Sequence, residues 1–288
     1  MKQVRFKRHN PRTHWVGDGF PVRSVFSYSD IASEISPFLL MDYASPTRFP
    51  PTDQRRGVGE HPHRGFETVT IVYEGEVEHR DSAGGGGTIG PDEVQWMTAA
   101  SGLVHEEFHG RDYARKGGPF EMIQLWVNLP ARLKMSSPSY QGITRDRIPS
   151  VQLGQEGGQV RVIAGEYEGN RGPALTRSPI NLWDIRMTGP TRFTCRVPEG
   201  HTAAIFVLNG SIRFPDGNRA SEAELAVLDS SGNTMGFESD GPAKLLFLGG
   251  EPLNEPIIGY GPFVMNSPEE IQQAFIDYRS GKMGRFTS

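Results

Sequence analysis

His61-Pro62-His63 and, further along, His105-Glu106-Glu107 are the places where residue type and spacing in this chain offer chemistry. Residues i and i+2 of a strand point to one face about 7 Å apart, so each pair can present two donors to a common point. Three imidazoles and a carboxylate suit first-row divalent metals, and an octahedral ion held by four such ligands keeps positions open for a substrate. Glu107 shares the parity of His105, while Glu106 faces away with Val104. Continuing outward from His63 on the same face gives Gly65 and Glu67, so Glu67 competes with Glu107 as a ligand or orients an imidazole or a water from behind.

These residues need strands to carry them. Arg64 to Val77 is rich in β-branched and aromatic residues and breaks at Glu74-Gly75, which predicts two strands joined as a hairpin. After a glycine-rich break at Ser82–Gly87, the segment VQWMTAASGLVHEEF carries the second pair, and Phe120–Leu129 alternates as another strand. A second series, from VRVIAGEY to AKLLFLGG, repeats the pattern. Setting Gly210 against Gly75 brings Gly200 opposite Gly65, with Arg196 and Pro198 opposite His61 and His63. The halves therefore read as a duplication whose second copy has lost its ligands; His201, opposite Phe66, is expected on the surface or in a hydrogen bond. Ser267-Pro268-Glu269-Glu270 forms a capping box with proline at the first helical position, and Ile271, Ala274, Phe275 and Tyr278 follow at helical spacing. One short C-terminal helix is expected, stopping near Gly281.

Composition sets the class. The chain of 288 residues, 36% hydrophobic and 22% charged, is long enough for two folded domains, and its 35 glycines and 22 prolines favour short strands and tight turns. The fold class is all-β, with a division at 1–135 and 136–288. A net charge of -4 implies neither nucleic acid nor an anionic membrane as a partner. The start of the chain has no apolar signal-like core, no stretch approaches a membrane span, and a single cysteine, Cys195, suits a reducing cytoplasm. Cys195 has no paired histidine pattern and reads as a structural thiol. The run Gly84–Gly87 lacks the lysine and helix of a phosphate loop and reads as a hairpin loop.

HPHRGFETVTIVYEG, then DEVQWMTAASGLVHEEF and QLWVNLP, together resemble the pirin family of bicupins, and ISPFLLMDY and the closing helix extend the likeness over nearly the whole chain. The resemblance implies two tandem cupin barrels, the first holding a divalent metal, most often iron(II), on His61, His63, His105 and Glu107, and the second metal-free. Strands or loops at each end are expected to cover the other domain. The choice of Glu107 over Glu67 rests on this likeness, since other cupins take their carboxylate from the strand where Glu67 stands. Quercetin 2,3-dioxygenase activity credited to several pirins implies a small flavonol-like aromatic substrate, dioxygen as co-substrate, and Glu107 or a nearby base to take the substrate proton. Phe66, Trp96 and Met97 would wall a flat pocket beside the metal. The resemblance also admits a metal-dependent regulatory or redox-sensing protein that binds a transcriptional or metabolic partner, and the scaffold admits a metal-dependent isomerase or hydrolase.

Overall fold

A computed structural model describes residues 1–286 and divides the chain into two β units. The first barrel comprises Arg12–Ser33, Phe38–Arg145 and the segment from Asn254 onward; the second comprises Met1–Pro11, Glu34–Pro37 and Asp146–Leu253. The fold is two cupin barrels and a short C-terminal helix. No helix among the described residues is long and apolar enough to cross a membrane.

The first barrel has a seven-stranded sheet in the order Ser139–Ile143, Val94–Thr98, Phe66–Glu74, Gly118–Asn128, Phe38–Phe49, Phe20–Phe26, His14–Val16. A four-stranded sheet, Gly57–His63, Leu103–His109, Val77–Asp81, Gly86–Ile89, completes it. Glu74-Gly75 is not a hairpin turn. Phe66–Glu74 pairs with Val94–Thr98 and Gly118–Asn128, whereas Val77–Asp81 pairs with Leu103–His109, so the chain crosses between sheets at Gly75 (φ +85°). Both flanking segments have the alternation of strands, and local pattern cannot tell a paired neighbour from a crossover.

The second barrel repeats the plan. Its seven strands run Val4–His9, Glu224–Leu228, Thr202–Asn209, Ala243–Gly250, Ile180–Met187, Gln159–Ala164, Ser150–Gln152, and its four run Thr191–Arg196, Thr234–Ser239, Ser211–Arg213, Arg219–Ser221. Gly210, at φ +82°, occupies the same crossing as Gly75.

A cut at residue 135 misassigns both ends. Val4–His9 adds antiparallel to Glu224–Leu228 of the second barrel, because its alternating half-buried side chains fit a sheet edge. The helix Pro268–Arg279 instead belongs with the first barrel, where Ile271 and Ala274 pack with Val104, Phe263 and Met265. Ser139–Ile143 also joins the first barrel, on Val94–Thr98.

Candidate metal centre

The two histidine pairs meet through sheet register. His61 lies directly opposite His105, and His63 opposite Leu103, on neighbouring antiparallel strands. The ring centroids of His61, His63 and His105 are 4.2 to 4.9 Å apart, and one ligand atom from each falls within 4.8 Å of the others.

Each ring has one nitrogen committed. His61 Nδ1 lies 2.8 Å from the Gly59 carbonyl oxygen and His63 Nδ1 3.3 Å from that of Pro262. A carbonyl only accepts, so both Nδ1 atoms carry hydrogen, and in the neutral imidazole the lone pair is then on Nε2. His105 Nδ1 faces His79 Nδ1 at 3.3 Å, and its Nε2 is buried without a hydrogen-bond partner among the described residues. A buried nitrogen left unpaired beside two lone-pair donors is the arrangement an ion would satisfy. Burial, reinforced by the neighbouring imidazoles, holds His63 and His105 well below the ordinary histidine range, which keeps them neutral as metal ligation requires.

Glu107 is placed differently from the three histidines. It lies directly opposite His79, and it forms a second close group with His79 and His105, not with His61 and His63. Gln95 Nε2 donates to its Oε1 at 2.6 Å and Gln124 Nε2 to its Oε2 at 3.0 Å, while the Thr70 hydroxyl, 3.3 Å from Oε1, has its shorter contact of 2.5 Å with Gln124 Oε1. These three residues sit side by side on adjacent strands, Gln95 and Gln124 both opposite Thr70. Sequence reading missed them, although a glutamine or threonine inside an otherwise apolar strand is a signal that a polar group faces it. It also missed His79 and Asp81, a third pair at i and i+2.

Glu67 and Trp96 point away from this cluster. Glu67 pairs with Thr98 and Trp96 with Val69, the alternate positions to Thr70 and Gln95, and Glu67 Oε1 accepts from the Thr98 hydroxyl at 2.7 Å. The parity count from His63 fails because the strand ends there. Gly65 adopts φ +92°, and Phe66 begins a strand of the other sheet. A Cβ at Gly65 would lie 2.0 Å from the Val264 carbonyl oxygen, so this switch requires glycine. Phe66 and Met97 share the parity of Thr70 and Gln95. Phe66 stacks on Trp126 at 4.2 Å, and both rings lie within 5.2 Å of His63.

The segment after His63 is tied down from the far end of the chain. Arg64 donates to the Ser101 carbonyl at 2.7 Å and pairs with Asp277 of the C-terminal helix at 2.9 Å. Lys134 Nζ donates to the carbonyls of Gly65 and Val264 and to Asn128 Oδ1.

The second barrel offers no comparable cluster among the described residues. Its cavity of about 420 Å³ is lined by Phe193, Phe214 and Phe237, and Arg192 and Arg213 at its edge are both held by Glu238. Burial pushes the Cys195 thiol up to about 12, in keeping with an inert structural residue.

The family model Pirin matches residues 19–127, and the model Pirin C-terminal cupin domain matches residues 182–284. A Pseudomonas aeruginosa protein named "putative quercetin 2,3-dioxygenase" is 54% identical over 285 residues, covering 99% of both chains. A pirin-like protein of Solanum lycopersicum is 35% identical over 93% of this chain and 88% of its own. Among solved structures, a quercetin 2,3-dioxygenase from Acinetobacter baumannii superposes with a TM-score of 0.97 at 50% identity, covering 100% of each chain.

Proposed function

Because the chain belongs to the pirin family, we propose that it is a metal-dependent dioxygenase acting on quercetin-like flavonols or another small enolisable aromatic compound. His61, His63 and His105 hold one divalent ion, iron(II), through Nε2, with Glu107 as the carboxylate of the set. The observation that carries this reading is the buried, unpartnered Nε2 of His105 beside two imidazoles whose Nδ1 atoms are already committed to carbonyls. The names of the relatives support the substrate class.

The bound metal supplies Lewis acidity and a template for substrate and dioxygen. The protein supplies the rest. Glu107 Oε2, whose 3.0 Å contact with Gln124 is longer than the 2.6 Å contact of Oε1 with Gln95, takes the proton of the substrate hydroxyl. Gln95 and Gln124 fix the carboxylate so that the transfer needs no rotation. The stacked Phe66 and Trp126 rings beside His63 provide a flat apolar wall suited to an aromatic plane.

Aerobic assay of the iron-loaded protein with quercetin tests the reading, following oxygen uptake and carbon monoxide release together. Coupled uptake and release is expected. Full iron occupancy with neither signal would overturn the dioxygenase assignment and favour a metal-dependent regulatory protein that binds another macromolecule.

A further inference from the structure

Behind His105 lies a second buried pair, His79 and Asp81, 2% and 5% exposed, to which the reaction above gives no role. Asp81 Oδ2 lies 3.2 Å from His79 Nε2, and His79 Nδ1 lies 3.3 Å from His105 Nδ1. Two imidazole nitrogens at that distance share one hydrogen, and the ends of the chain decide who owns it. The carboxylate accepts, so the hydrogen at that end is on His79 Nε2. A neutral His79 then has its lone pair on Nδ1 and accepts from His105 Nδ1–H. His105 is left with its lone pair on Nε2, the buried atom that has no partner among the described residues.

We propose that Asp81 and His79 are positioning residues that fix the tautomer of His105 and so present its Nε2 lone pair to the metal. The proposal rests on the metal reading above. His61 and His63 receive the same instruction from backbone carbonyls, which can only accept. At His105 the acceptor is a side chain whose own tautomer depends on Asp81, so this ligand alone is set through a relay.

The relay is rigid at its origin. Asp81 Oδ1 accepts from the backbone N–H groups of Ala83 and Gly85 at 2.8 and 2.9 Å, which stops the carboxylate from turning. Burial alone would raise this carboxyl, but the His79 and backbone hydrogen bonds outweigh it and hold it below the ordinary range. His79 lies flat on Tyr140, centroids 5.1 Å apart and planes within 12°. The opposite arrangement, with His79 donating from both nitrogens, would leave a hydrogen on His105 Nε2 buried with no acceptor among the described residues. The close group of His79, His105 and Glu107 then holds no ion of its own, because its facing nitrogens are occupied by the shared hydrogen.

The metal-free protein labelled with 15N-histidine answers the first question directly. Long-range proton–nitrogen correlation is expected to show His105 protonated at Nδ1 and bare at Nε2; hydrogen on Nε2 would overturn the relay. Cobalt(II), titrated into the wild type, is expected to saturate at one equivalent, and two equivalents would overturn the relay as drawn. Asp81→Asn should mix the His105 tautomers and weaken cobalt binding ~10–100-fold, the range for an outer partner of a ligand. In a His79→Asn background the amide oxygen can accept from His105 Nδ1 without help, so adding Asp81→Asn should cost little more. Equal losses in both backgrounds, or unchanged tautomer and affinity in Asp81→Asn, would overturn the relay alone. A wild type that binds no cobalt would instead overturn the metal reading, and the tautomer spectrum would still decide the relay.

Discussion

The two barrels share a strand plan and differ in what fills them. In the first, Thr70, Gln95, Gln124, Glu107, His79, His105 and His63 form one connected polar cluster on facing strands. In the second, the corresponding strands contribute Phe193, Cys195, Met235 and Phe237, which join Trp183 and Phe247 in a continuous apolar core. One barrel therefore buries polar groups that must satisfy each other, at a cost in stability, and the other buries apolar surface that needs no partner. The same scaffold serves a site in one case and packing in the other, and the choice is made at a few alternate positions.

The largest effect is expected at the nitrogen common to both close groups. His105→Ala should abolish cobalt(II) binding by calorimetry while the protein remains folded by circular dichroism, since a ligand is lost and not merely its outer partner. Retained stoichiometric binding would remove His105 from the metal set. Phe193→Ala probes the other barrel. Phe193 is 1% exposed and stacks on Phe237 at 5.0 Å, so its truncation should cost about 3–5 kcal/mol in urea unfolding. Metal affinity should not change, and a parallel loss of affinity would mean that the barrels do not divide the labour this way.

Much of this division was legible in residue order. Arg196 and Pro198 standing where the first half has its histidine pair, the two pairs around His61 and His105, and the capped helix at Ser267 all rest on short-range pattern, which strand alternation and capping chemistry fix locally. The face of Glu67 was not legible, because one glycine resets the parity between sheets. Nor were the ends of the units, since Val4–His9 finds its partner strand more than two hundred residues away at Glu224–Leu228. The contact of Gln95 and Gln124 with Glu107 depends on which strands become neighbours, and alternation within one strand carries no such information.

The pH dependence of stability should also separate the barrels. In the first, burial lowers the Lys134 ammonium to about 7, with Glu255 and Glu270 pulling it back only in part, and its three acceptors are neutral. In the second, the buried Arg161 sits on the Asp184 carboxylate at 2.8 Å. A lysine lowered in the folded state releases its proton there first. Between pH about 7 and about 10.5 the unfolded chain binds more protons, so this group makes stability rise with pH, by up to ~1.4 kcal/mol per pH unit; below 7 its contribution is flat. Lys134→Met should remove that rise from denaturation midpoints measured across the window. A slope that survives in the variant would assign it to other groups.

The smallest effect tests which barrel owns the C-terminal helix. Ser267 Oγ accepts from the Glu270 backbone N–H at 3.3 Å, and the Glu270 carboxylate accepts in return from Ser267 N–H at 3.0 Å. Ser267→Ala removes one half of this reciprocal cap and should cost about 1 kcal/mol. Because Ile271 and Ala274 pack with Val104 and Phe263, and Asp277 grips Arg64 next to His63, the loosened helix should be felt in the first barrel. Hydrogen–deuterium exchange should therefore quicken in 57–63 and 103–109 and stay unchanged in 191–196 and 234–239. Faster exchange confined to the second set would return the helix to the barrel that precedes it in the chain.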